Sequence, residues 1–422
     1  MLKQLRRLRQ DDFLRHNAIF FAGNLSIGVL NYLFYPILGR LLEPSYFGEV
    51  QTLFSLFSHI GVFFNVLGLV VVNIVANQAT DQAASAVIIE LEKFALLIST
   101  IGFALFLFLA IPLEHFFQFG SAYPFIGLAI AILISVPITF RRAVLQGIRD
   151  FTGLSWAGII GATIKLVVAI TLVLAGYKTG GAVAAVLTAQ LLTLAYVWWR
   201  LRQKHSTYQW HEQHFSWPKL ELIAPQLKYA GLVLSVSLII TIQYTIDILT
   251  VKHYFPAHQA GLYAGVSTIA NIIFFVAGSV AGVLIASVRI GHPGNKALLR
   301  RSLALTSILA GGALVVFAAA PRLVTTILIG AKYSSAAHFL PSIAFATFLI
   351  SIANLLFIYH LAQRAYAISA LALSSSGLTI ALMLVHHPSI QAIIGNVIIG
   401  SAVLLGGITI FGFTTRSVKA RV

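Results

Sequence analysis

The sequence predicts an all-α polytopic membrane protein of about twelve transmembrane helices, in two six-helix lobes related by a pseudo-two-fold axis along the membrane normal. Three observations carry this expectation. The 422 residues are 59% hydrophobic and only 9% charged, against about 25% charged residues in an ordinary soluble domain. Apolar windows of the roughly 20 residues that cross a bilayer recur from Asn17 almost to the C-terminus. Landmarks of the first half also return in the second half in the same order.

The opening MLKQLRRLRQDDFLRHNAIFFAG joins a basic segment to an apolar run too long for a signal-peptide core and without a small-residue cleavage site, so a retained first helix is expected over 17–39. The second helix, over 50–77, carries a polar stripe of Gln51, Ser55, His59 and Asn65 at helical spacing. Apolar windows then predict helices over 94–113 and 123–140, and over 153–175, the last interrupted by Lys165. A sixth spans 181–199, and the seventh, 229–250, ends with Gln243, Tyr244 and Asp247. The remaining five fall at 265–288, 302–320, 339–360, 366–385 and 389–412.

The formal charge of +16 would suggest nucleic acid in a soluble protein, but topology explains it. With the N-terminus inside, 22 of the 28 Lys and Arg residues lie in cytoplasmic segments, five (Arg40, Lys178, Lys252, Arg322, Lys332) lie outside, and Lys165 sits within a span. That asymmetry follows the positive-inside rule and assigns both termini to the cytoplasmic side of the membrane, with no nucleic-acid partner expected. The polar stretch 200–228 reads as a cytoplasmic linker between an N-terminal lobe, 1–199, and a C-terminal lobe, 229–422. Its His205, His211 and His214 have no cysteine or well-spaced carboxylate to complete a metal site, so the stretch reads as solvated linker. The chain has no cysteine, which excludes disulfides, thiol catalysis and haem-thiolate chemistry. It also has no G-x-x-x-x-G-K phosphate loop. No cofactor is expected.

Gly39–Pro44, GRLLEP, lies over Val251–Pro256, VKHYFP, which sets Arg40 on Lys252 and Pro44 on Pro256; Gly48 falls on Gly261 one residue later. AIPLEHFFQFG from Ala110 resembles AAPRLVTTILIG from Ala319, with Pro112 on Pro321 after the third helix of each half. Six helices per repeat is an even number, so the halves share one orientation and leave a seam that can open to either side, a transporter design.

Four stretches, GRLLEPSYFGEVQTLFSL, RRAVLQGIRDF, DILTVKHYFPAHQAGLYAG and LIGAKYSSAAHFLP, are spread in order over nearly the whole chain. In them the sequence resembles the polysaccharide flippases of the multidrug/oligosaccharidyl-lipid/polysaccharide exporter superfamily, the translocases of O-antigen (lipopolysaccharide) and capsule repeat units. The resemblance implies a V-shaped molecule whose first, second, seventh and eighth helices line a cavity. A polyprenyl-diphosphate-linked oligosaccharide turns there from the inner to the outer leaflet, its tail in membrane lipid, and a polysaccharide polymerase and assembly proteins are the implied partners. Relatives that carry peptidoglycan precursor have an arginine inside the first helix; this chain offers Asn24, Ser26 and Asn31 and no charge before Arg40. That departure, and twelve helices in place of fourteen, count against peptidoglycan precursor as cargo.

Lys165 must face protein or water, since an ionised side chain facing lipid costs several kcal/mol. Its helix face carries Gly158, Gly161, Ala162 and Ala169. It is expected either to attract the diphosphate or to pair with a buried acid. Asp247, with Gln243 a turn earlier, is an ion-coupling carboxylate, a partner for Lys165, Lys252 or Arg40, or an interfacial residue; pairing with a cation is the leading expectation, and such a pair can act as a gate. Arg40 and Lys252 flank the outer mouth as headgroup-binding cations or as anchors to phospholipid. Asn31, and His59 with the rest of the second helix's stripe, supply hydrogen-bonding groups to sugar or to neighbouring helices. Arg141, Arg142 and Arg149 after the fourth helix either meet the diphosphate or serve topology alone. Two other functions compete: a multidrug exporter of the same superfamily, which needs buried carboxylates and finds only Asp247 in the spans, and a membrane glycosyltransferase, which needs an acidic cluster beyond Asp11 and Asp12 or a large external loop.

Overall fold

The computed structural model describes residues 12–77, 82–203, 217–288, 294–363 and 367–419. Among them every regular element is helical. The chain divides into two compact units, unit 1 comprising Met1–Leu42 and Leu56–Leu234 and unit 2 comprising Glu43–Ser55 and Ser235–Val422. The helices run in the order α1 (Asp12–Leu41), α2 (Pro44–Asn77), α3 (Gln82–Phe108), a short α4 (Ala110–Phe116), α5 (Tyr123–Gly147), α6 (Phe151–Leu174) and α7 (Lys178–Gln203). They continue with α8 (Leu220–Tyr254), α9 (Ala257–Ser287), α10 (Asn295–Ala319), a short α11 (Pro321–Leu328), a 3-10 helix (Ala331–Phe339), α12 (Leu340–Ala362), α13 (Ala367–Val385) and α14 (Ile390–Lys419).

Ten segments among the described residues are long and apolar enough to cross a membrane. The first and seventh expected spans fall on α1 and α8, helices of 30 and 35 residues. Several helices outrun the expected windows because hydropathy marks the lipid-facing stretch while the backbone bonds continue beyond it. Thus α2 starts at Pro44, where the fixed φ and absent N–H of proline suit the first helical position. The third expected span, 94–113, is a different case. Its helix starts at Gln82 and breaks at Leu109, and Pro112 lies in the first turn of the separate α4, where its missing N–H removes no helical bond. Pro321 likewise begins α11. Each half therefore carries a short helix after its third span.

In unit 1, α1 lies against α6, α6 against α7, and α5 against both α3 and α7. The small face of α6 allows this: a Cβ added to Gly158 would overlap the Ile27 side chain of α1, and one added to Gly161 would come within 2.7 Å of Thr193 Oγ1 of α7. Charged side chains tie the helix ends together. Asp150 accepts from the backbone N–H of Gly153 at 3.1 Å to cap α6, and its two oxygens also accept from Arg200 Nε at 2.7 Å and from an Arg200 terminal nitrogen at 3.1 Å. Arg141 donates to Glu92 Oε1 at 2.8 Å.

In unit 2, Ile239, Ala353, Phe357, Ile368, Ala372, Leu404 and Ile408 join α8, α12, α13 and α14 in one apolar cluster. A second cluster of Val280, Ala281, Leu284, Leu299, Leu355 and Tyr359 joins α9, α10 and α12. The start of α2 meets the start of α9 backbone to backbone. A Cβ on Gly48 would lie 2.8 Å from Gly261 Cα, and one on Gly261 would overlap the Pro44 carbonyl oxygen. Only glycine permits that approach. The two glycines that the sequence repeat makes equivalent are thus in contact.

Gly261→Ala is expected to lower thermal stability in detergent by about 2 kcal/mol or more, the scale of an overpacked core. Gly278→Ala, with open space around its Cβ, is the matched control and is expected to leave the melting temperature within error. Equal melting curves for the two variants would contradict the backbone contact.

Candidate functional site

Lys165 rises from the middle of α6, half-buried, and its Nζ donates to Asn31 Oδ1 of α1 at 2.6 Å while lying 4.5 Å from the centre of the Phe34 ring. Both contacts are with neutral groups: an amide oxygen and a π-face, each of which favours a cation. Asn31 and Phe34 sit three residues apart on α1 and so share a face, and the shallow face at Gly158, against Ile27, brings α1 near enough to reach. Two residues singled out separately in the sequence, Lys165 and Asn31, are brought together here.

Asp247 of α8 is buried. Its Oδ2 accepts from the Tyr263 hydroxyl at 2.5 Å and from Ser267 Oγ at 3.4 Å, both on α9. Its Oδ1 has no hydrogen-bond partner among the described residues. Within unit 2 the partners of Asp247 are hydroxyls and not Lys252. For Lys252 the reason is helical geometry, since five residues at about 100° each set it roughly 140° around α8 from Asp247. Lys252 is only 1% exposed. It lies within the electrostatic reach of Glu49 at the start of α2. Gln243, one turn before Asp247, is also buried, and its Nε2 lies 3.4 Å from Ser375 Oγ and 3.3 Å from Ser376 Oγ of α13. Asp247, Gln243, Tyr263, Ser267, Asn271 and Thr347 line a cavity of about 10 Å³, room for one water-sized occupant.

Arg40 is exposed in the last turn of α1. The polar stripe of α2 divides. Gln51 donates to Thr268 Oγ1 of α9 and Ser55 is buried, His59 is half-buried, and Asn65 lines a cavity in unit 1. That cavity, about 340 Å³, also takes in Asn24, Thr139, Arg142, Gln146 and Ser155, so α1, α2, α5 and α6 all contribute to it. Tyr263 and Ser267 were not among the residues that the sequence pointed to. Their i, i+4 spacing on the helix following Asp247 is the signal that would have found them. His205, His211 and His214 lie outside the described residues. Among those described, no group of three His, Asp or Glu side chains is arranged to hold a metal ion.

The chain matches the family described as "Polysaccharide biosynthesis protein" over residues 37–338. No curated protein sequence matches it. Among solved structures it is similar to an inward-facing multidrug resistance MATE family transporter of the MOP superfamily, at 16% identity and a TM-score of 0.69, over 93% of this chain and 95% of that one. It is similar also to the lipid II flippase MurJ in an inward closed conformation, at 15% identity and a TM-score of 0.68, over 93% and 87%. A MATE multidrug transporter, DinF-BH, in complex with R6G aligns over 94% of both chains, at 13% identity and a TM-score of 0.63. With the fold of these membrane proteins and a family match over most of its length, the chain belongs to the polysaccharide biosynthesis protein family.

Proposed function

We propose that this protein is a flippase, carrying a polyprenyl-diphosphate-linked oligosaccharide, an O-antigen, capsule or exopolysaccharide repeat unit, from the inner to the outer leaflet of a bacterial cytoplasmic membrane by alternating access of its two lobes, 1–199 and 229–422. The observation that carries the reading is Lys165, an ammonium inside a membrane helix held by an amide oxygen and an aromatic face. Moving a diphosphate through hydrocarbon requires positive charge along the route, and Lys165 places a lysine ammonium there. The family's polysaccharide role and the fold shared with a lipid II flippase support the same cargo class. Asn31 orients Lys165, His59 contributes to sugar hydroxyls, and Arg40 receives the headgroup at the outer side. Lys252 and Glu49, both buried and within electrostatic reach of each other, act as a charge couple whose separation favours one conformation over another. A polymerase acting on the outer leaflet consumes the product.

Asp247 and Gln243 supply the coupling or gating element: both line a water-sized cavity, and the Asp247 carboxyl, with one oxygen lacking a hydrogen-bond partner among the described residues, binds a proton or sodium ion. The competing reading, a multidrug exporter, draws on the same carboxyl. About 10 Å³ of space beside it leaves no room for an organic cation, which favours a small coupling ion there.

In a deletion strain, lipid-linked repeat units are expected to accumulate in the inner leaflet and to be released by the wild-type gene. Lys165→Ala is expected to cut surface polymer by about tenfold or more, the scale of a lost charge-assisted hydrogen bond, with membrane insertion unchanged. Normal polymer in the deletion strain would point to another cargo; normal polymer with Lys165→Ala alone would remove Lys165 from the site.

For coupling, Asp247→Asn is expected to keep the protein folded and flatten the dependence of transport on pH or on sodium, measured in vesicles with imposed gradients. A variant that changes only expression or melting temperature would leave Asp247 as a structural acceptor for Tyr263 and Ser267.

A further inference from the structure

Arg141, Arg142 and Arg149 look alike in the sequence, as basic residues at the cytoplasmic end of one span. The structure separates them. Arg141 is occupied, donating at 2.8 Å to Glu92 and at 3.1 Å to the Pro137 carbonyl. Arg149 is an exposed residue in a turn, with φ at 60°. Arg142, turned about 100° around α5 from Arg141, points away from Glu92 and into the 340 Å³ cavity of unit 1. There it has neither an ion pair nor a hydrogen bond among the described residues.

The other polar groups of the cavity are neutral: Asn24, Asn65, Gln146, Thr139 and Ser155. No carboxylate lines it. Ser155 is 6% exposed, and its Oγ lacks any partner, an unusual state for a buried hydroxyl. Asn24 and Asn65 are exposed at this cavity although they lie on membrane helices, which is tolerable where a helix faces water or a polar ligand. A guanidinium matches the oxygens of a phosphate in a bidentate fork, and the amides and hydroxyls around it can donate to the remaining phosphate oxygens or exchange bonds with sugar hydroxyls. Leu69, 55% exposed, and Val72 give the same cavity an apolar side, which suits a phosphate carried on a lipid.

We propose that Arg142, with Asn24, Asn65, Gln146, Thr139 and Ser155, forms a phosphoester-binding site at the cytoplasmic end of unit 1, where the diphosphate of the lipid-linked saccharide is first held. The identity of the ligand rests on the flippase reading; the anion site does not. The site is built by the first, second, fourth and fifth spans, a different set from the first, second, seventh and eighth that line the cavity the resemblance implies.

The test uses the purified full-length protein in detergent, with binding read from the ligand-dependent rise in melting temperature. The probes are undecaprenyl diphosphate, undecaprenol, inorganic pyrophosphate and phosphatidylglycerol. Undecaprenyl diphosphate is expected to bind wild type and to bind Arg142→Gln about tenfold or more weakly, with a smaller loss for Arg142→Lys, which keeps charge but not the fork. Arg322→Gln, removing an exposed charge elsewhere, is expected to bind normally. Equal binding of pyrophosphate would make the site one for free anions, and equal binding of phosphatidylglycerol one for ordinary headgroups; either overturns the substrate assignment. Unchanged binding by Arg142→Gln overturns the site while leaving the flippase reading intact, whereas no binding of undecaprenyl diphosphate by wild type undercuts that reading itself. Should Arg142→Gln fail to fold, Gln146→Leu is measured instead, and unchanged binding there overturns the site equally.

Discussion

A charge inside a hydrocarbon layer must be answered by protein or by water, and the placement of every ionised group in the spans follows from this. The protein answers in two ways. Arg141 and Arg200, at helix ends of unit 1, meet carboxylates at 2.8 and 2.7 Å. Such pairs neutralise themselves and fasten the ends of α3, α5, α6 and α7. Lys165, Arg142 and Asp247 are treated differently: the described contacts of Lys165 and Asp247 are to an amide, a ring and hydroxyls, and Arg142 faces a cavity. Neutral partners make an ion tolerable without cancelling its field.

The first turns of α2 show how the same segment serves fold and site. Gly48 and Gly261 bring backbones into contact, and the rest of the attachment follows from that approach. Phe47 reaches the Tyr333 ring at 5.9 Å, Gln51 reaches Thr268, and Glu49 and Glu43 come within the electrostatic reach of Lys252 and Lys332. A bulkier residue at either glycine would push all of these apart together. Beyond Ser55 the same helix belongs to unit 1, where Asn65 and Gly68 line the arginine cavity. A single continuous helix therefore contributes the buried Glu49 to one unit and part of the Arg142 cavity to the other.

The spans were legible because hydropathy over 20 residues is a strong signal, and the repeat was legible in its prolines and glycines. Helix ends were less so: the break at Leu109 leaves no mark in an apolar window. Among the site residues, Lys165 stood out because a lysine in a span has few explanations, but its partner depended on how closely α1 approaches the glycine face of α6. Asp247 was expected to seek a cation because charge complementarity is visible in sequence. The hydroxyls that satisfy it are visible only if α8 and α9 are folded about the break near Pro256, which sets Tyr263 about as far beyond the turn as Asp247 is before it. Arg141 and Arg142 are adjacent in sequence and differ only in which side of α5 they leave from. No composition or motif separates them, and the distinction appears once α3 occupies one side of the helix and a cavity the other.

The cavities of the two units are lined by charges of opposite sign, Arg142 in unit 1 and Asp247 in unit 2. Unit 1 holds Lys165 and Arg142 against neutral groups or open space, and unit 2 holds Asp247 against hydroxyls in a cavity the size of one water. A transporter that moves a large anion and draws on a small cation needs two sites of this kind, because a shared site would let each ligand neutralise the charge that attracts the other. Separate sites can still influence one another if each ligand is bound more tightly in one of two global conformations, and the free energy each contributes is then limited to its differential affinity for those conformations. Size follows the same division. The cavity lined by Arg142 is roomy, about 340 Å³, while the one lined by Asp247 has about 10 Å³, room for one water-sized occupant. The two cavities thus differ in volume as well as in the charge that lines them.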